Sequence, residues 1–175
     1  MLSVLIIAAA LQTPGDTAPQ HLAPVSCTAE PNFVTRERYV FQGDSFRFSG
    51  TVTAGELDAR DFAPFASFSL LEQARPEELS AVLSVQSATE RRFDVTLRRL
   101  INNELRARSI IGRVPSGQGV PFELVVRPDR TATFRLGNVV ERVELDALRP
   151  DAVVLACSSG SFRFDNLVFV NNGPA

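Results

Sequence analysis

Apolar and polar residues alternate in short runs along this chain, most densely between Phe122 and Phe169. Phe122, Leu124 and Val126 alternate with Glu123 and Arg127, and Ala132, Phe134 and Leu136 alternate with Thr131, Thr133 and Arg135. A period of two sends successive side chains to opposite faces, so each run predicts a half-buried strand. Pro128-Asp129-Arg130 supplies a turn with a preset φ, and Gly137-Asn138 supplies a second from residues that tolerate positive φ. The pattern continues through Val143, Leu145, Val153, Leu155 and Cys157 to a closing run from Phe162 to Phe169. That last run changes phase: Phe162 and Phe164 share one parity, Leu167 and Phe169 the other. A β-bulge near Asp165-Asn166 would let both pairs face one core.

Earlier in the chain Phe46, Phe48, Gly50 and Val52 alternate with Arg47, Ser49, Thr51 and Thr53, which predicts another half-exposed strand. The charged segment Glu56 to Asp61 follows Gly55 and reads as a loop, and Phe62 to Leu71 reads as an edge or bulged strand because of Pro64. Pro76, Glu77, Glu78, Leu79, Val82 and Leu83 carry a helix-start pattern, so one short helix is expected near residues 76–83, feeding a strand. Phe93, Val95 and Leu97 begin a hairpin that turns at Asn102-Asn103 and returns from Leu105 to Ile111. The expected fold is all-β, an antiparallel two-sheet sandwich with at most that one helix. Its expected core includes Phe46, Phe48, Phe93, Val95, Leu97, Phe122, Leu124, Phe134 and Leu155.

The succession Phe122-Glu123-Leu124-Val125-Val126-Arg127, a turn, Thr133 to Asn138, a polar link and Phe162-Arg163-Phe164-Asp165-Asn166-Leu167-Val168-Phe169 resembles the closing strands of concanavalin A-like jelly rolls. That group includes laminin G-like, galectin-like and glucanase-like sandwiches. The resemblance implies a jelly roll and, by analogy, a glycan or cell-envelope polymer as ligand; it carries no binding residues of its own.

At the N-terminus, Leu2 to Leu11 is almost wholly apolar and Ala8-Ala9-Ala10 offers small residues for cleavage, so residues 1–11 read as a secretory signal, with an uncleaved hydrophobic anchor as the competing reading. The run is about half the ~20 residues that a membrane-spanning helix needs, and no later segment is a candidate. Residues 12–25 hold Pro14, Gly15, Pro19 and Pro24 and read as a linker, leaving residues 26–175 as a single β-sandwich domain. Cys27 and Cys157 lie near opposite ends of that domain. An even cysteine count in an exported chain suggests a disulfide and a secreted or periplasmic address, with two unrelated buried thiols as the alternative. Adjacent terminal strands, which the jelly-roll resemblance implies, agree with the disulfide. Two sulfurs and His21 fall short of a zinc site, so no metal is expected.

The basic residues are all arginine, 18 against 20 acids, and a net charge of −2 gives no general case for nucleic acid. Ser-His catalysis is set aside because the one histidine, His21, lies in the linker, and no glycine-rich cofactor fingerprint is present. Glu56-Leu57-Asp58-Ala59-Arg60-Asp61 is similar to the Glu-x-Asp-x-x-Glu strand of jelly-roll glucanases, which would make Glu56 the nucleophile, Asp58 its assistant and Asp61 the acid. Asp61 stands where that pattern has Glu, Arg60 would favour its ionised form, and the chain has no Trp and only Tyr39 as a phenol. A calcium-binding or plain solvated loop competes with the catalytic reading.

Between Arg91 and Arg113 seven arginines face Asp94 and Glu104. A three-residue hairpin loop would set Arg98 opposite Arg108, a repulsive pair that a bound anion would relieve; a solvated sheet face with arginines paired to neighbouring acids is the alternative. The sequence therefore reads as a non-catalytic β-sandwich module for glycan or envelope polymer, without cofactor. A glycoside hydrolase using Glu56 and Asp61, or a structural envelope domain, remain the other readings.

Overall fold

The computed structural model describes residues 9–10, 18–41, 43–59, 63–85, 87 and 89–171. Among them are twelve strands and no helix: β1 (Ala9–Ala10), β2 (Gln20–His21), β3 (Val25–Val40), β4 (Phe46–Leu57), β5 (Phe65–Glu72), β6 (Glu77–Ser84), β7 (Arg92–Ile101), β8 (Glu104–Pro115), β9 (Val120–Val126), β10 (Thr131–Leu136), β11 (Val139–Glu144) and β12 (Ala152–Asn171). Apart from the two-residue parallel pairing of β1 with β3, neighbouring strands run antiparallel. Outside Ala9-Ala10, the apolar stretch read as a signal lies beyond the described residues.

Two long strands serve both layers of the sandwich. Ala152 to Ser158 of β12 lies between β3 and β5, while Gly160 to Asn171 lies beside the start of β3 and against β4. One layer thus runs β3, β12, β5, β6, β7, β8, and the other runs β3, β12, β4, β9, β10, β11. The crossing point is Ser159-Gly160, with φ of 54° and 156°, where the β3 register also slips. A Cβ on Gly160 would stand 2.7 Å from the Glu56 carbonyl oxygen, so only glycine permits this bend.

Aromatic contacts show the layers closing on one another. Phe68 of β5 meets Phe122 of β9 at 4.2 Å between ring centroids and Phe164 of β12 edge-on at 5.8 Å. Of the nine expected core residues all but Leu97 are fully buried, and Leu97 packs partly buried against the cluster. The phase change in β12 is resolved by a register shift between Asp165 and Val168, with Asn166 at φ 53°, and Phe162, Phe164, Leu167 and Phe169 all reach the core.

Several local expectations are corrected. The 76–83 segment is strand, not helix: Leu79, Ala81, Leu83 and Val85 face the core at period two, and Pro76 ends the β5–β6 turn instead of opening a helix. The apolar spacing at 79, 82 and 83 suits either period, and pairing on both sides by β5 and β7 decides it. Pro64 precedes β5, so its missing N–H interrupts no ladder and β5 is an inner strand between β12 and β6. Gly55, Glu56 and Leu57 continue β4 and are not loop.

Cys27 and Cys157 form a disulfide across the bend. Cys27 pairs with Phe162 in one layer, Cys157 sits between Thr35 and Ala66 in the other, and their Cα atoms are 6.1 Å apart. A loop of this sequence separation, 130, contributes about 5 kcal/mol on the chain-entropy model. The oxidised protein should titrate no thiol under denaturing conditions, and reduction should lower its melting temperature; an unchanged melting temperature would assign the bond no role in stability. Phe134 is 1% exposed, so Phe134→Ala should cost about 3 to 5 kcal/mol in denaturant unfolding.

Candidate functional site

On the outer face of the β3-β12-β5-β6-β7-β8 layer, cross-strand registers align side chains into rows. One row runs Arg38, Val154, Ser69, Ser80, Arg98, Arg108, and the next runs Arg36, Ala156, Ser67, Val82, Thr96, Ile110. Serine, alanine and valine occupy the middle strands, while arginine stands on β3 in both rows and on β7 and β8 in the first, which shapes a trough. The result is a groove of about 110 Å³, lined by Arg36 and Val34 on one side, Arg98 and Leu100 on the other, and Ser67, Ser69 and Ser80 with Val82, Val154 and Ala156 between them.

The floor is a closed hydroxyl network. The Ser69 hydroxyl donates to Glu78 Oε1 at 2.7 Å and approaches Ser80 Oγ at 3.1 Å, while the Ser80 hydroxyl donates to the same Glu78 oxygen at 2.5 Å. Ser69 and Ser80 are buried, so these bonds replace the water the hydroxyls would otherwise hold.

Arg98 is the least satisfied group here. Its Nε is buried with no hydrogen-bond partner, as is the Thr96 hydroxyl on the same face. Burial first, and then the Arg108 guanidinium, lower the Arg98 pKa, with Glu78 opposing. Arg98 and Arg108 do stand opposite each other, by a route other than a three-residue loop. The turn is the two-residue Asn102-Asn103, both at positive φ, and a register shift between Arg99 and Leu100 moves the pairing by one.

Glu56 and Asp58 lie elsewhere, at the end of β4 beside the β12 bend, on an open depression of about 680 Å³ shared with Thr28, Glu30 and Ser161. Glu56 is exposed; its backbone N–H donates to Ser161 Oγ at 3.0 Å, and that of Asp58 donates to the Ser159 carbonyl at 2.8 Å. Asp61 lies outside the described residues. No group of three His, Cys, Asp or Glu side chains among the described residues is placed to hold a metal ion. Tyr39 is buried against Phe48, and burial and then Glu37 push its phenol well above the ordinary value, so it is a core ring and no surface platform.

The serine floor escaped sequence reasoning. Its signal is Ser67 and Ser69 at the positions that alternate with Phe68 and Leu70, small polar residues where a solvated strand usually carries long ones.

No helix among the described residues is long and apolar enough to cross a membrane. No family model matches the chain, and no curated protein sequence does. Its fold is similar to that of a carbohydrate-binding module, CBM66, from Bacillus subtilis, at 10% identity over 95% of this chain and 100% of that one, with a TM-score of 0.55. It is similar to the CBM2 module of an evolved Dit of Lactobacillus casei BL23 phage J-1, at 14% identity over 93% and 80%, TM-score 0.55. A β-glucanase from Bacillus licheniformis shares 9% identity over 85% and 78%, TM-score 0.52. With these neighbours and two antiparallel layers joined by shared long strands, the chain has the fold of the concanavalin A-like jelly-roll sandwiches.

Proposed function

We propose that residues 26–175 form a non-catalytic carbohydrate-binding module, secreted or periplasmic, that takes a glycan or envelope polymer in the groove above Ser67, Ser69 and Ser80. The observation that carries this reading is the groove itself: a floor of serine, valine and alanine between raised walls that carry Arg36 and Arg98. The carbohydrate-binding modules among its structural neighbours support the ligand class by analogy of fold. The Cys27–Cys157 bond supports an oxidising compartment.

A second reading, hydrolysis, is favoured by the glucanase neighbour and by Glu56 and Asp58 at the edge of the open depression. Against it stands the exposure of Glu56, which leaves that carboxylate without the enclosed, water-excluding surroundings a glycosidase site provides.

The two readings are separated by mapping backbone amide shifts in the oxidised protein during titration with solubilised envelope polysaccharide. The expected shifts are in β5, β6 and β7 around Ser69, Ser80 and Arg98, with no release of reducing ends. Shifts centred on Glu56 and Ser161, with product release abolished by Glu56→Gln, would establish the hydrolase instead.

A further inference from the structure

Several arginines on the sheet faces of this protein are held by acids of their own. Arg99 contacts Glu77 and Asp146 at 2.7 and 2.6 Å, Arg113 contacts Asp94 at 2.7 Å, Arg163 contacts Asp165 at 2.8 Å, and on the same edge strand Arg106 contacts Glu104 at 2.6 Å. Arg98 and Arg108, like Arg36, Arg38 and Arg92, have no such partner among the described residues. Yet Arg98 and Arg108 face each other across β7 and β8, and Arg98 is half-buried. The nearest acid in the groove, Glu78, is drawn into the floor by two hydroxyls that both donate to its Oε1.

Two like charges on facing strands repel, and a partly desolvated guanidinium with an unmet buried N–H gains from an anion that water does not match. Arg36 lines the opposite side of the same groove, so Arg36, Arg98 and the adjoining Arg108 stand against Glu78 alone. The groove is small, with room for a few water molecules at their liquid volume, which suits a charged substituent entering while the sugar ring rests across the mouth. Guanidinium forks match the planar oxygens of a carboxylate and the tetrahedral oxygens of a sulfate ester alike.

Resting on the carbohydrate-binding reading above, we propose that the groove is selective for acidic polysaccharide, with a ring carboxylate or sulfate ester seated at Arg98 and Arg108 and Arg36 adding positive charge from the opposite wall. In this arrangement Glu78 is the groove's one opposing charge, and the serine hydroxyls keep it down and away from the ligand.

The test measures binding of the oxidised protein to polygalacturonate, dextran sulfate and neutral dextran by calorimetry at low and physiological salt. Polygalacturonate or dextran sulfate should bind with salt-sensitive affinity and dextran should not. Binding of polygalacturonate alone assigns the site to a carboxylate, and loss of that binding as the polymer is protonated at low pH confirms the assignment; dextran sulfate alone assigns it to a sulfate ester.

Arg98→Gln should weaken anionic binding by about tenfold or more, whereas Arg91→Gln, which removes the same charge from an exposed position outside the groove, should change it little. Glu78→Gln keeps an oxygen for Ser69 and Ser80 while removing the negative charge, so it should strengthen anionic binding. Matching melting temperatures establish that the variants are folded. Equal losses for Arg98→Gln and Arg91→Gln would reduce the site to diffuse surface charge and overturn the proposal. Dextran binding as well as the acidic polymers, with Glu78→Gln weakening it, would also overturn it while leaving a neutral-glycan module in place. Failure of both acidic polymers overturns the proposal outright, and the carbohydrate reading falls with it only if envelope polysaccharide also fails to bind.

Discussion

The antiparallel ladder between β3 and β12 is the constraint on which the other parts of the sandwich depend. Each strand passes from one layer to the other, so the two sheets are joined by continuous backbone as well as by packed side chains. A bend in both strands at the same level must keep its hydrogen bonds on either side, and the chain meets this with a left-handed Ser159-Gly160 pair. The disulfide crosses the same bend, linking the Phe162 level of one layer to the Ala66 level of the other. Chain entropy, backbone geometry and burial therefore act at one place. The aromatic cluster of Phe68, Phe122 and Phe164 fills the space this arrangement leaves between the layers.

The groove follows from the same architecture. Because β12 contributes Val154 and Ala156 to the outer face of a six-strand layer, its centre carries little side-chain bulk, and the long residues of β3 and β7 close over it from either side. The serines of β5 and β6 are buried by those neighbours and not by a second layer, so their hydroxyls satisfy one another through Glu78. Ser69, Ser80 and Glu78 thus fix one another's side chains across the two strands.

Most strands could be read from alternation because their two faces differ: Phe122, Leu124 and Val126 look inward while Glu123 and Val125 do not. Even the bulge at Asn166 was legible, since parity forced it. Alternation failed where both faces are buried. In β6, Leu79, Val82 and Leu83 are all inaccessible, and a strand covered on both sides has the composition of a short helix. The first long strand, β3, is not legible from alternation, because it carries Pro31 and charged residues and is fixed by its pairing with β12 at the far end of the chain. At the site, Arg98 and Arg108 stood out by charge, whereas the floor did not, because serine is unremarkable in sequence and acquires meaning only from the rows that registers create. Glu56 and Asp58 match a motif whose third member, Asp61, lies outside the described residues.

Strand β8 ends its layer, and among the described strands it pairs with β7 alone. A twelve-residue edge with free backbone donors and acceptors is the kind of surface on which another copy could add a strand. Here the ladder slips twice along β8, and Glu104, Arg106 and Arg108 punctuate its exposed stretch. A second β8 laid antiparallel against it would have to match two kinks. Register slips and edge charges of this kind are features that discourage strand addition at a sheet edge.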